Sequence, residues 1–364
     1  MRDPDRPLRI LHLTAGSDAG GLSRYIYDLS TAMIARGHSV AVAGQRGAWH
    51  WLFERSPIPW IDAPLKGGPA ALWKASHTLL DWLAAHPVDV IHTHYRRPTL
   101  VARRVQRRRP LPILYTVHLS DLTLRWPWSM LSDFGDHTHV ASEEARRWVV
   151  EDGRVAPDRV SVVPHGIDPS KYPPADDTAR GDARHSLGLP PDARVAAFVG
   201  RLDYPKNEEW LLDVAGELSD LHVLLAGEGP HEPALRAAID AAGLRRRVHL
   251  LGHRDPLPVY RAADALLLPS IREGFSLVSA EAMAVGVPVI RTRTAGTREL
   301  IVEDVTGRST PIDRRAFVAA AVEMLSLPPA RLREMGAAAA AHVRGHFTFD
   351  RQLKQTLALY RRLA

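Results

Sequence analysis

The stretch Pro269–Glu281, PSIREGFSLVSAE, lies between two apolar runs. Before it, Ala265-Leu266-Leu267-Leu268 has the unbroken hydrophobicity of a parallel strand covered on both faces. After its first half, Leu277–Val285 reads as a helix packed back on that strand. Gly274 falls at the turn, where a residue without Cβ accepts φ > 0 or lets a ligand approach the backbone. The amides near Phe275, Ser276, Leu277 and Val278 open the helix and have no partners within it. They point at the strand's carboxyl end, where they and the helix dipole favour an anion such as phosphate. Glu273 precedes the helix and Glu281 lies just under two turns into it. Two carboxylates beside an anion site repel the anion, so their natural partners are hydroxyls. A ligand with phosphates flanked by sugar hydroxyls, a nucleotide sugar, fits that pattern. The plain alternative makes Glu273 a helix cap and Glu281 a solvated helix residue.

Composition bounds the rest. A chain of 364 residues suits two domains, each with its own core. Hydrophobic content of 45% and charged content of 24% describe a soluble globular protein. No apolar run approaches the ~20 residues of a membrane span. The start, MRDPDRPLRILHL, runs almost directly into a strand without a signal-peptide cleavage pattern. Zero cysteines exclude disulfides and thiolate metal sites. The expected compartment is the cytoplasm. The net charge of +6 comes almost wholly from arginine, with five lysines in all. In an arginine- and alanine-rich chain this reflects GC-rich codon usage, so no nucleic-acid partner is inferred. It favours anionic ligands and anionic membrane surfaces.

Taken in order, Arg9–Thr14 is a first strand, Ala15–Gly21 a glycine-rich turn and Leu22–Arg36 an amphipathic helix. This begins a Rossmann-like half without the GxGxxG fingerprint of dinucleotide enzymes. Gly20-Gly21 either lets a diphosphate reach bare backbone or makes a simple tight turn. Ser39–Ala43 and Val88–His92 continue the strands. His92 and His94 suggest a metal only weakly, because no third ligand is nearby in the chain. The helix from Pro98 to Arg109 belongs to a segment with seven arginines between Arg96 and Arg109. It reads as a solvated face or as a surface for anionic lipid. Pro112–Val117 is a strand with His118 at its carboxyl end, where open α/β sheets bind ligands. Trp126 and Trp128 suit an acceptor pocket or the core equally. A Pro/Asp/Gly-rich linker with one short helix, Pro169–Pro191, precedes a second strand–helix series. There Arg201 and Lys206, after the strand Val195–Val199, offer a planar fork and a point charge to a diphosphate, or are two surface cations. His253-Arg254 follows the strand Val248–Gly252.

EGFSLVSAE followed by AMAVGVPVI resembles the Glu-x7-Glu segment of retaining GT-B glycosyltransferases of family 4. GRLDYPKN resembles that family's GR-x4-KG segment, with Asn207 in place of the usual glycine. The resemblance is strongest over 194–302 and looser before Pro164. It implies an α/β fold of GT-B type, two Rossmann-like doubly wound domains facing across a cleft. The expected domains are 1–168, on the acceptor side, and 175–346, on the donor side, with a terminal helix over 347–364 crossing back to the first.

The resemblance also implies the chemistry: a hexosyl group moves from a nucleoside-diphosphate sugar, UDP- or GDP-linked, to an acceptor hydroxyl with retained configuration. Arg201 and Lys206 bind the donor diphosphate, Gly20-Gly21 contacts its phosphates, and backbone around His253-Arg254 holds the base. His118 and Glu273 position the sugar, and Glu281 binds the ribose. No Asp-x-Asp metal loop follows any strand, so the cations and helix amides are expected to replace a metal, and no cofactor is expected. The acceptor is a glycan, a lipid-linked molecule or a small molecule. Some relatives work at the inner membrane face, which gives the Arg96–Arg109 segment a peripheral membrane role. Competing readings are a nucleotide-sugar epimerase of the same fold and a non-catalytic sugar-nucleotide binding protein.

Overall fold

The computed structural model describes residues 6–18, 20–118, 124 and 132–364. Trp126 and Trp128 lie outside the described residues. The chain divides into two compact units, Met1–Pro164 with Gln352–Ala364, and His165–Arg351.

Unit 1 runs β1 (Arg9–Gly16), α1 (Gly21–Ile34), β2 (Ser39–Gln45), α2 (His50–Glu54), β3 (Trp60–Asp62), α3 (Pro69–Ala85), β4 (Val90–Thr93), α4 (Arg96–Gln106), β5 (Ile113–Val117), β6 (His137–Val140), α5 (Glu143–Glu151) and β7 (Val160–Val162). Its parallel sheet has the order β3-β2-β1-β4-β5-β6-β7. The strands are short and buried on both faces, as Leu11, Leu13, Ile91, Ile113 and Leu114 show. This is the pattern that helices on both sides of a parallel sheet impose.

Unit 2 runs α6 (Asp177–Ser186), β8 (Arg194–Val199), α7 (Trp210–Glu217), β9 (Leu221–Ala226), α8 (Glu232–Ala241), β10 (Val248–Gly252), α9 (Leu257–Ala262), β11 (Ala265–Leu268), α10 (Leu277–Val285), β12 (Val289–Thr292), α11 (Thr297–Leu300), β13 (Gly307–Thr310), α12 (Arg314–Leu325) and α13 (Pro329–His346). Its sheet has the order β10-β9-β8-β11-β12-β13, again parallel. The last helix, α14 (Phe349–Leu363), starts in unit 2 and ends in unit 1.

Each sheet reverses its winding once, between β1 and β4 in unit 1 and between β8 and β11 in unit 2. At such a switch point the flanking loops leave in opposite directions and open a crevice beyond the strand ends. The candidate residues after β1, β4 and β5, and those after β8 and β11, therefore surround the two places where this architecture binds ligands. No helix among the described residues is long and apolar enough to cross a membrane.

Candidate functional site

In unit 2 the loops after β8 and β11 are tied together at the switch point. Ile271 N donates to Pro205 O at 2.9 Å, and Asn207 Nδ2 donates to Pro269 O at 3.1 Å. Asn207 has φ 51°, a left-handed conformation that asparagine tolerates better than most residues. Asparagine thus keeps the turn a glycine would make and adds a side-chain tie. The loop holding Arg201 is fixed from the other side. Gly200 N donates to Ala226 O and Leu202 N to Glu228 O, each at 3.0 Å. A Cβ on Gly227 would lie 1.8 Å from Gly200 O, so only glycine allows this backbone approach.

Lys206 and Glu273, assigned separately to diphosphate and sugar, meet in one ion pair, Nζ to Oε1 at 2.6 Å. Their side chains are 23% and 15% exposed. Burial pushes the Glu273 carboxyl up, but the nearby charges of Lys206 and Arg291 outweigh it and hold the pKa below the usual range. Arg291 is fully buried at the end of β12 and bonds Thr294 Oγ1 at 2.7 Å. In the sequence it stands in the apolar run of a strand, which gives no hint of a third cation under the Glu273 loop. Arg201 is exposed and pairs with Asp203 at 2.8 Å.

Ser276, not Glu273, caps α10. Its Oγ accepts from Ser279 N at 3.2 Å. The cap thus takes the Ser279 amide and leaves the first-turn amides of Leu277 and Val278 without a partner in the helix. The Phe275 ring is buried between His165 and Phe347, so only its backbone is available. Glu281 Oε2 accepts from the buried hydroxyl of Tyr260 on α9 at 2.8 Å. Tyr260 was invisible to motif reading because it sits on another helix, 21 residues away. His253 and Arg254 are exposed, and His253 N is directed to Glu228 Oε1 at 3.3 Å.

In unit 1, Gly20 opens α1 with φ 145°, a value that favours glycine, and a Cβ on Gly20 or Gly21 would meet nothing within 4 Å. Their backbone is open to a ligand. A cavity of about 340 Å³ beyond β1, β4 and β5 is lined by Lys66, His94, Tyr95, Arg96, Arg97 and His118, among others. Lys66 pairs with Asp18, and Arg97 donates to the Lys66 carbonyl.

The view that His92 and His94 lack a third ligand is corrected. His12, opposite His92 in the β1–β4 register, completes a buried trio whose ring nitrogens lie within 4.8 Å of one another. Hydrogen bonds already use most of these nitrogens. His92 Nδ1 and Nε2 meet Tyr360 Oη and Thr116 Oγ1, each at 2.6 Å, and His94 lies between His12 and His118. In the arginine segment, the helix runs from Arg96 to Gln106. The apolar face of α4, with Val101, Ala102 and Val105, is buried in the core. Arg103 is held by Asp133 and Asp136, leaving Arg104, Arg107, Arg108 and Arg109 exposed.

Two family models match the chain: "Glycosyltransferase Family 4" over residues 19–171 and "Glycosyl transferases group 1" over residues 193–326. A D-inositol 3-phosphate glycosyltransferase of Actinosynnema mirum is 30% identical, over 94% of this chain and 92% of the relative. Among solved structures, sucrose-phosphate synthase from Thermosynechococcus elongatus aligns with TM-score 0.82 at 23% identity, over 98% of this chain and 99% of that one. Anabaena HepE, in complex with UDP and glucose, aligns with TM-score 0.83 at 20% identity, over 97% and 99%. These likenesses identify the fold as GT-B.

Burial keeps five clustered histidines neutral. It lowers His12 and His118 to about 3, His139 to about 4, and His92 and His94 well below the ordinary value. Their unfolded-state pKa is near ~6.5. The unfolded chain therefore takes up protons below that pH that the folded chain refuses. The stability is complete above pH ~6.5 and falls as pH drops toward the folded values, by up to about 1.4 kcal/mol per pH unit per group. Urea unfolding followed by tryptophan fluorescence should show a midpoint far lower at pH 5.5 than at pH 7.5. An unchanged midpoint would mean these rings are not buried and neutral.

Proposed function

The chain belongs to the family 4, group 1 glycosyltransferases, and we propose that it transfers a hexosyl group from a nucleoside-diphosphate sugar to an acceptor hydroxyl with retention. The observation that carries this reading is the Lys206–Glu273 pair at the β8/β11 switch point, on the same loops that carry Arg201 and lead to the amides of Leu277 and Val278. The leaving diphosphate gains charge as the bond from C1 to its oxygen breaks. Lys206 and the two amides are held before the reaction where that charge develops, and Arg201 turns to it from an exposed loop at little cost. Positive charge held by the chain is proposed to serve in place of a divalent ion.

Glu273, held ionised by Lys206 and Arg291, accepts hydrogen bonds from sugar hydroxyls. His118 is the second sugar ligand. Glu281, oriented by Tyr260, accepts from the ribose hydroxyls, and backbone near His253 and Arg254 meets the base. Gly20 and Gly21 offer backbone to the phosphates. The new C1–oxygen bond forms on the face the diphosphate leaves, and the acceptor's proton passes to the departing phosphate oxygen. Atoms and charge balance without a side-chain nucleophile.

The cavity holding Lys66, Arg96 and Arg97 supports a small acceptor bearing an anionic group. A phosphorylated polyol fits that chemistry and agrees with the inositol-phosphate name of the Actinosynnema mirum relative. A peripheral contact with anionic membrane would rest on Arg104, Arg107, Arg108 and Arg109 through charge alone, because α4 has no apolar face to insert.

Arg201→Ala is the cleaner kinetic test, since that side chain is 63% exposed and its loss leaves no buried charge. It should lower kcat about 10²- to 10³-fold at unchanged melting temperature; a near-normal kcat would remove Arg201 from the mechanism. Tyr260→Phe frees Glu281 to turn, and donor KM should rise about tenfold, the worth of one directed hydrogen bond to a charged group. An unaltered KM would mean that Tyr260 does not orient the ribose ligand. Pelleting with anionic vesicles should be lost by about 1 M salt, where the screening length is ~3 Å. Retention at that salt would mean apolar insertion.

A further inference from the structure

Three rings form one string across β1, β4 and β5. His12 Nδ1 lies 2.9 Å from His94 Nε2, and His94 Nδ1 lies 3.1 Å from His118 Nε2. Tyr25 from α1 walls this string, with its ring edge-on to His94 at 5.9 Å and to His118 at 5.3 Å. A neutral imidazole carries one proton, so each contact needs one N–H donor and one bare nitrogen. Only two arrangements satisfy both contacts. In one, every proton sits on Nδ1 and the string donates from His12 through His94 to His118. In the other, every proton sits on Nε2 and the string donates the opposite way.

The far end decides between them. His12 Nε2 is buried and has no hydrogen-bond partner. A bare nitrogen there forfeits one weak acceptor, whereas an N–H there would be an orphaned buried donor, the costlier and rarer defect. Neighbouring His92 offers no escape, because both of its nitrogens are committed in a separate chain whose polarity is also fixed. That chain ends on the Val163 carbonyl, 2.8 Å from His139 Nε2, so His139 must donate there and accept at Nδ1. Thr116 then donates to His139 at 2.8 Å, His92 donates to Thr116, and Tyr360 donates to His92.

We propose that His12 and His94 are positioning residues that hold His118 in the Nδ1–H form, with its Nε2 accepting from His94. Left alone in water, histidine prefers the Nε2–H form; the buried string imposes the other. Burial keeps all three rings neutral. In that form His118 gives a hydrogen bond through Nδ1 and takes no part in deprotonating the acceptor. The consequence for sugar recognition rests on the role given to His118 in the proposed function; the proton assignment does not.

Two experiments separate these levels. Long-range proton–nitrogen NMR on the full chain labelled with ¹⁵N-histidine reads the tautomer directly, with His118 assigned from the signals lost in His118→Gln. The expected result at pH 7 is a protonated Nδ1 and a bare Nε2 on His118. A protonated Nε2, an averaged spectrum or a doubly protonated ring would overturn the proposal, whatever the enzyme assays show. The second experiment compares His94→Asn with His94→Leu in sugar transfer. Asparagine keeps an N–H near the Nδ1 position and leucine removes it. His94→Leu should lose about tenfold in kcat, the worth of one directed hydrogen bond, and His94→Asn should recover most of that loss. Equal loss in both variants would overturn the positioning role. Absence of transfer by the unaltered protein, with the expected NMR spectrum, would count against the role given to His118 and leave the string intact.

Discussion

The ion pair between Lys206 and Glu273 is the constraint on which the switch-point loops of unit 2 depend. A largely buried carboxylate costs several kcal/mol to desolvate, and a cation at hydrogen-bond distance offsets that only with good geometry. Here the geometry is supplied by backbone. Pro205, Asn207, Pro269 and Ile271 stitch the two loops together on either side of the pair. Arg291, buried beneath, adds a second positive charge that no solvent screens well. The result is a place where charge is set by the fold before any ligand arrives, and such pre-set charge is what a departing diphosphate requires.

The pair has a further consequence. Lys206 serves Glu273 in the protein as it stands, while its proposed ligand is a diphosphate. A lysine is a point charge with three donors, so it can keep Glu273 and still receive a phosphate oxygen. Arg201 differs, because its partner Asp203 is two residues away on an exposed loop. That pair is cheap to exchange, and Arg201 is free to turn to a ligand at little cost. One cation is built into the loops and the other stays exchangeable.

Much of this was legible in the sequence, and the reasons are physical. The strand at Ala265–Leu268 and the helix at Leu277–Val285 appear at the boundaries read from the chain, because a fully buried parallel strand and a buried helix leave unbroken apolar runs. The switch-point loops were legible because glycine, proline and cations cluster there against an otherwise apolar background. Arg291 was not, since a lone arginine in a strand run looks like any other edge position. Tyr260, on α9, and His12, on β1, were missed for one reason: each meets its partner across elements, Tyr260 to Glu281 and His12 to His94, at separations of 21 and 82 residues. Short strands such as Trp60–Asp62 and Gly307–Thr310 escaped because three or four residues carry no usable periodicity.

In the proposed reaction, charge held by the chain, rather than by a divalent ion, receives the donor's diphosphate. Calorimetric titration of UDP, GDP and ADP into the full chain, once in EDTA and once in magnesium, tests it most directly. One nucleoside diphosphate should bind equally well in both buffers and well above its monophosphate. Binding that appears only with magnesium, or that is no tighter than the monophosphate's, would contradict it.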